Sequence, residues 1–426
     1  MAIPEDLLQF IWRLRLYHTD QLKTVNGESI QVLHVGEHND NAGPDFLFSK
    51  IRIGSELWTG NVEIHVRSSD WFLHGHQKDA KYANVILHVV WDHDQEVIHE
   101  DGSLVPTLRL SDYVSEELLK QYQRLMDGQR WIPCESQILH LDSFKVESWV
   151  ERMAVERMED KSRLILELLQ KFDGDWEKIF FIWLFRSFGF KVNADAFQAL
   201  GEQLSNLLLL KYRTDISKLE AMIFGQAGFL NSTFDEAYPL QLQKEYIYLK
   251  KAYSLKETHF PLLFSRMRPH NFPTIRIAQL ASLLQNESVR LQGILAIENL
   301  SEFRSLLNNI RVTHYWKTHF SFAKQSLATS DHSLSEMSQN SLIINAFIAL
   351  TFSYGAYFKL EDLKEKAMRW LEELPTERNN IIQKFEDIGV NAWHAAHSQG
   401  LLHIKRKYCD SKQCLRCGIG LELLRR

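Results

Sequence analysis

The period of the apolar positions changes several times along the first third of the chain. Leu7, Leu8, Ile11 and Leu14 recur at helical spacing, and Pro4, Glu5 and Asp6 suit a first turn, which predicts an amphipathic helix from Pro4 to Tyr17. Strand-like runs follow at Ser29–Val35, Phe46–Ile53 and Leu57–Val66, the last two joined by a tight turn at Gly54-Ser55-Glu56. Ser68 or Ser69 can cap a helix beginning near Asp70 and Trp71, with helix or mixed turn continuing to Tyr82. Val85–Trp91 is an almost unbroken apolar run, the pattern of a strand buried on both faces. The order is helix, three strands, helix, strand. From about residue 145 the spacing becomes helical: Val146, Trp149, Val150 and Met153 form one stripe, and Leu164, Ile165, Leu168 and Leu169 form another. No proline falls between Pro133 and Pro239. The expected architecture is therefore an α/β domain over residues 1–130 and an all-α region over 131–400. A sub-boundary is expected near 265–273, where Arg268-Pro269-His270-Asn271-Phe272-Pro273 interrupts the pattern. A basic, cysteine-rich segment occupies 401–426.

Composition sharpens this division. A chain of 426 residues, 45% apolar, is long enough for two or three domains with real cores. Its formal net charge of −5 argues against a protein that coats nucleic acid by charge alone. Residues 1–130 hold eight of the 19 glycines and nine of the 18 histidines, with 20 Asp+Glu against 12 Lys+Arg, so the polar chemistry is concentrated there. No run reaches 18 uninterrupted apolar residues; Ile179–Phe190, which contains Arg186, and Leu342–Leu350 are too short to span a bilayer. The N-terminus has neither a basic segment nor an apolar stretch of the signal-peptide kind. A cytoplasmic protein without membrane attachment is expected. The four cysteines are too few for a disulfide scaffold, and three of them cluster, which points to metal in a reducing compartment.

Three residues carry the sharpest chemistry. Asp45 follows Gly43-Pro44 at the mouth of one strand, and Glu63 and His65 lie two apart on the next. Side chains alternate along a strand, so Glu63 and His65 share a face while Val62 and Ile64 take the other. If the strands pair, two carboxylates and a nitrogen base converge, as a divalent cation and an activated water require. The plain alternative is a polar strand face turned to solvent. Glu5 adds an acid if the first helix packs beside the strands; otherwise it only complements the helix dipole. His74-Gly75-His76 with Asp79 is a second group, readable as the centre of a zinc hydrolase or as solvated turn histidines. Cys409-x4-Cys414-x2-Cys417 can grip one Zn²⁺, with Cys134, His397 or His403 as fourth ligand. The same spacing also serves iron–sulfur clusters, the second choice here. Residues 401–426 carry seven Lys+Arg against Asp410 and Glu422, a phosphate-backbone contact or a solvated tail. Arg266, Arg268 and Arg276 could touch nucleic acid, although a structural turn is the preferred reading.

Pro44-Asp45 on one strand and Glu63-x-His65 on the next, within that element order, resemble the PD-(D/E)xK nucleases of the restriction-endonuclease-like fold over roughly residues 1–100. The resemblance implies that Asp45 and Glu63 bind Mg²⁺ or Mn²⁺ and that His65 stands at the lysine position. It implies metal-dependent phosphodiester hydrolysis, with nucleic acid, DNA or RNA, as the partner. Histidine there departs from the pattern. Lysine is a fixed cation, whereas histidine titrates at about 6.5 and serves as base or ligand. The rival is therefore a catalytically inactive nuclease-fold protein, acting as a nucleic-acid-binding or assembly module through its helical half. Some nucleases of the superfamily clamp their fold with a cluster on one remote and three grouped cysteines, an order similar to Cys134 with Cys409, Cys414 and Cys417. At larger scale, Ala42–Phe46, Gly60–His65, Ser69–Trp71, Val85–Val90 and the terminal Tyr408–Gly420 together look like a bacterial family of unknown function, nearly full-length.

Overall fold

The computed structural model describes residues 3–256, 261–327 and 329–425. The chain divides into two units, Met1–Trp149 with Ile404–Arg426, and Val150–His403. The first is mixed α/β and the second is mostly helical.

The first unit opens with α1 (Glu5–Leu14), which buries Leu7, Leu8, Phe10, Ile11 and Trp12. It stops three residues short of the expected Tyr17. Arg15 turns left-handed (φ 52°), and its N–H closes onto the Ile11 and Trp12 carbonyls. Six strands follow: β1 (Ile30–His34), β2 (Glu37–His38), β3 (Phe46–Ile53), β4 (Glu56–Arg67), β5 (Val85–Asp92) and β6 (Thr107–Arg109). The sheet order is β1-β3-β4-β5-β6, with β2 also on β3. β3 and β4 form an antiparallel hairpin, and β5 and β6 add in parallel. Its two-residue turn uses Gly54 in the left-handed region, φ 59°.

β4 decides the site. Glu56–Thr59 are exposed, but from Gly60 to His65 the strand is covered, with Asn61 only partly so. Val62 and Ile64 fill the core side, and Glu63 and His65 are 5% and 1% exposed on the other. The solvent-facing strand is thus ruled out. A Cβ on Gly60 would sit 2.4 Å from Ile86 Cγ2 and 2.7 Å from the Asn84 carbonyl, so only glycine lets β4 and β5 close at that point. Beyond it, Glu63 pairs with His88. After β4 the expected helix is just α2 (Asp70–Leu73), followed by single turns at His76–Lys78 and Ala80–Tyr82. α3 (Glu116–Asp127) begins at a Ser115 cap that accepts the Leu118 N–H. Ile404–Cys409, Cys414–Arg416 and Gly418–Leu424 complete the unit.

Helix Ser143–Lys171 carries both expected stripes, except that Leu164 is exposed. In the second unit Trp176–Phe188 is buried along nearly its whole length, and the core is rich in aromatic side chains. The all-α expectation is corrected by one hairpin, His319–Ser321 with Lys324–Gln325. Strands of three and two residues give no readable period. Thr274 Oγ1 holds the hairpin by donating to the Phe320 carbonyl at 2.5 Å. The proline-rich break forms a single turn, Pro269–Asn271, that leads into helix Pro273–Leu284 inside this unit. One continuous helix, Glu336–Phe358, is long and apolar enough to cross a membrane by length and composition, yet 67% of its apolar window is buried inside the protein.

A buried carboxyl in this unit makes stability depend on pH. Glu220 is fully buried, and burial pushes its carboxyl up to about 7 although the Tyr238, Thr313 and Trp316 side chains donate toward it. The folded state therefore holds the proton more tightly than the unfolded chain. This contribution is complete below the ordinary carboxyl value and is lost as pH rises through about 7. Glu220→Gln, which cannot ionise, should flatten the decline by up to about 1.4 kcal/mol per pH unit within that window. Denaturant titrations at pH 5, 6 and 7 measure the slope, and an unchanged slope contradicts the account.

Candidate metal centre

α1 presents Glu5 and Gln9 one turn apart on a single face. Gln9 Nε2 donates to Asp45 Oδ1 at 2.9 Å. Asp45 Oδ2 accepts the Ile64 N–H of β4 at 2.9 Å, and the Asp45 N–H donates to Glu63 Oε2 at 3.1 Å. The two acids are thereby fixed to each other's strands. The other oxygen, Glu63 Oε1, lies 3.4 Å from His65 Nε2 and 3.2 Å from His76 Nε2. His65 Nε2 is 3.1 Å from His74 Nδ1, and His65 Nδ1 is 2.8 Å from His88 Nε2. The ligand atoms of His65, His74 and His76 all lie within 4.8 Å of one another. Glu63 and His65 thus meet, and Asp45 is tied to Glu63 through its own N–H, while the Asp45 carboxylate, expected to bind the metal, accepts from Gln9 and the Ile64 N–H; Glu5 lies in the electrostatic field of Asp45 and His74. His74 and His76, the expected centre of a zinc hydrolase, lie within this same group, beside His65. Asp79 stays outside it, capping the Ala80–Tyr82 turn through the Lys81 N–H.

The turn after α2 makes this possible. Gly75 sits at φ 77° with nothing within 4 Å of a Cβ, so conformation rather than crowding calls for glycine there. The reversal returns His74 and His76 to β4. Trp71, fully buried, anchors it, with its ring 5.4 Å from His76, 5.9 Å from Tyr82 and 5.4 Å from His88. His76 stacks on Tyr82 at 3.8 Å. Sequence reasoning assigned no site role to Gln9, Trp71, Tyr82 or His88. A signal existed for His88 alone, as the one polar residue in the apolar run Val85–Trp91.

Burial dominates the electrostatics. It pushes Glu63 up to about 8, and it raises Asp45 to about 7 with the Glu63 charge adding. Glu5 rises to about 7, by burial and then by Asp45. Burial drives His65 down to about 2 and His88 to about 3, with neighbouring imidazoles adding, and lowers His76. The 3.4 Å approach of His65 to Glu63 is therefore not an ion pair, because a buried imidazole surrounded by imidazoles stays neutral. His76 Nε2 and His88 Nδ1 are buried without a hydrogen bond. A divalent cation would replace the carboxyl protons and give His76 Nε2 a partner. Three imidazoles, with the Glu63 carboxyl beside two of them, suit zinc, manganese or iron better than magnesium, which prefers an all-oxygen shell.

The remaining expected sites lie elsewhere. Cys134, Cys409, Cys414 and Cys417 all fall in the first unit. His397 and His403 belong to the second, where they face Glu151 and Glu156 at 3.7 Å and 3.3 Å. Arg266, Arg268 and Arg276 line a cavity of about 870 Å³ in the second unit. There Arg276 is buried over the Phe190 ring at 4.2 Å and donates to Asn271 and Gln279, a structural role.

The chain belongs to the family described as "Protein of unknown function (DUF2851)", whose model matches residues 5–380. The matched span contains Glu5, Asp45, Glu63, His65, His74, His76 and Cys134, and it ends before Cys409. No curated protein and no solved structure matches the chain.

Proposed function

We propose that this DUF2851 chain is a metal-dependent phosphodiester hydrolase acting on nucleic acid, DNA or RNA, with one divalent ion held by Glu63, His65, His74 and His76. The observation that carries the reading is the group of three imidazoles, His65, His74 and His76, whose ligand atoms lie within 4.8 Å of one another, with Glu63 Oε1 3.4 Å and 3.2 Å from two of them and Asp45 and Glu5 alongside. The element order, with an antiparallel hairpin feeding parallel strands and both acids at the hairpin, supports a restriction-endonuclease-like first unit.

A bound ion supplies Lewis acidity and lowers the pKa of water at the site. The chain's own groups divide the other roles. Glu63 and the three histidines fix the ion. Asp45 ties α1 to β4 and adds negative charge. His65 has Nδ1 engaged by His88, so its Nε2 acts as a ligand rather than as a proton shuttle. Glu5, half-buried and raised to about 7, is the group suited to take a proton from the attacking water near neutral pH. Lys78 and Lys81, exposed on the turns that follow His76, offer contacts to phosphate. Cytoplasmic residence, where thiols stay reduced, accords with this reading.

The test is cleavage of plasmid DNA and of RNA by the purified protein with Mn²⁺, Mg²⁺ or Zn²⁺. Cleavage should be faster with Mn²⁺ than with Mg²⁺, should stop with EDTA and should return with excess Mn²⁺. Binding of nucleic acid without cleavage under every metal would replace this reading with the non-catalytic module.

A further inference from the structure

The cavity of about 870 Å³ lies wholly inside the second unit, and Arg276 on its wall is 6% exposed. A buried arginine keeps its charge, so it ordinarily meets a carboxylate. Among the described residues Arg276 meets none. Its guanidinium donates to Asn271 Oδ1 at 2.6 Å, to Gln279 Oε1 at 2.9 Å and to Ser338 Oγ at 3.5 Å, all neutral acceptors. These bonds order the neighbouring chain and leave the charge itself uncompensated. The Nε–H is buried without a hydrogen bond, and so is the Oγ1 of Thr376 on the same wall. Burial lowers the guanidinium to about 10, with no neighbouring charge to offset it. It is still a cation at neutral pH.

The fold holds this arrangement firmly. Phe190 stands in the left-handed region at φ 49°, a costly conformation for an aromatic residue, and sets its ring 4.2 Å from the guanidinium. Gln279 Nε2 donates to the His332 carbonyl at 2.6 Å, which leaves its Oε1 for the arginine. Asn193 grips both backbone groups of Leu263, at 3.0 and 2.8 Å, just before the chain reaches Arg266 and Arg268 on the cavity wall. With Lys191 and Arg378 these make four exposed cations around the buried one. Glu336 and Glu377 also line the cavity, but Glu377 accepts from Gln399 and Glu336 lies 4.0 Å from Arg304. Four helices begin here: Asn193 precedes Ala194–Gln203, Pro273 opens Pro273–Leu284, Ser335 precedes Glu336–Phe358 and Asn379 caps Asn380–Asp387. Two others, Trp176–Phe188 and Glu361–Glu373, end beside it and offset only part of that positive field.

We propose that this cavity binds a small phosphomonoester, with its phosphate at Arg276 and the helix N-termini and its organic part along Phe197, Met267 and Met337. A phosphate dianion matches the surplus of cations better than a single carboxylate, and it accepts the bidentate fork of a guanidinium. Helix N-termini favour the same group. The volume lies in the range of sites for whole small molecules, well beyond one inorganic ion, and the apolar side chains give the remainder of the ligand a surface. The site is independent of the histidine centre and of its proposed hydrolysis.

The test titrates the full chain by calorimetry, with and without EDTA, using AMP, phenyl phosphate, adenosine and inorganic phosphate. At least one of the two esters should bind once per chain, with or without EDTA, and at least about tenfold more tightly than adenosine or inorganic phosphate. Arg276→Lys keeps a cation but loses the planar fork, and it should weaken that ester by at least about tenfold. Binding abolished by EDTA belongs to the histidine site and overturns the proposal. So does adenosine binding as tightly as AMP, which leaves the anion unrecognised. Inorganic phosphate binding as tightly as either ester makes the site one for the bare ion, and no saturable binding of either ester at millimolar concentration removes it; both overturn the proposal. An ester affinity unchanged in a folded Arg276→Lys does the same. If Arg276→Lys fails to fold, the double variant Arg266→Ala with Arg268→Ala, at exposed positions, should weaken the ester about threefold or more, and an unchanged affinity there overturns the proposal.

Discussion

Glu63→Gln should leave the first unit folded while abolishing metal-dependent cleavage, with kcat lowered on the order of 10³-fold or more. The size follows from what the residue does. Losing a ligand that holds a Lewis acid removes several kcal/mol of transition-state stabilisation, and each 1.4 kcal/mol is about a decade in rate. Glutamine keeps the shape, and its amide oxygen can still accept the Asp45 N–H that Glu63 Oε2 accepts at 3.1 Å. It removes the negative charge that faces His65 and His76. Because burial already pushes the Glu63 carboxyl up to about 8, the metal-free protein near neutral pH holds a mostly protonated group there, and the amide should fold equally well. The Kd for Mn²⁺ should rise together with the loss of kcat, read by calorimetry alongside steady-state cleavage, with circular dichroism as the folding check. A variant that cleaves within about twofold of the wild type would place the chemistry at another site. Asp45→Asn should cost less in metal affinity. Its oxygens accept from Gln9 and from the Ile64 backbone, so the residue positions β4 more than it holds the ion.

The part of this site that was legible in the sequence is the part governed by strand phase. β3 and β5 begin at the residues the apolar pattern gave, and β4 lies within a residue of it at each end. Period-2 alternation alone puts Glu63 and His65 on one face. Burial of that face was not legible. It depends on α1 and on the turn after α2, and nothing in Glu-x-His reports what lies above it. The same limit explains why His74 and His76 read as a rival centre. Their convergence on Glu63 requires the left-handed Gly75 and the anchoring Trp71, and tertiary packing fixes where such a reversal points. The family model matches the chain but carries no activity, so the functional reading rests on the geometry.

Trp71→Ala tests whether that geometry depends on the anchor. Trp71 is fully buried in a cluster with Tyr82, Val85, Val97 and Val105, and its ring edges meet His76, His88 and His99. Its indole N–H is buried without a hydrogen bond, so removing it breaks no polar contact, and the loss is apolar burial plus a cavity. A buried tryptophan truncated to alanine costs about 3–5 kcal/mol. At roughly 2–4 °C per kcal/mol for a unit of this size, the first unit's Tm should fall by about 6–20 °C. Trp71→Phe, which keeps much of the packing, should fall less. The second expected effect separates an anchor from a mere core residue. With the ring gone, His76 loses an aromatic wall while keeping the Tyr82 stack, and the His74-Gly75-His76 turn should loosen. Supporting groups of this kind typically contribute 10–100-fold to metal affinity, and Mn²⁺ binding should weaken by about that factor. Scanning fluorimetry with and without Mn²⁺ reads both effects, since weaker binding also shrinks the metal-induced rise in Tm. A lower Tm with unchanged Mn²⁺ affinity would leave Trp71 a packing residue and return the positioning of His74 and His76 to the backbone of the turn.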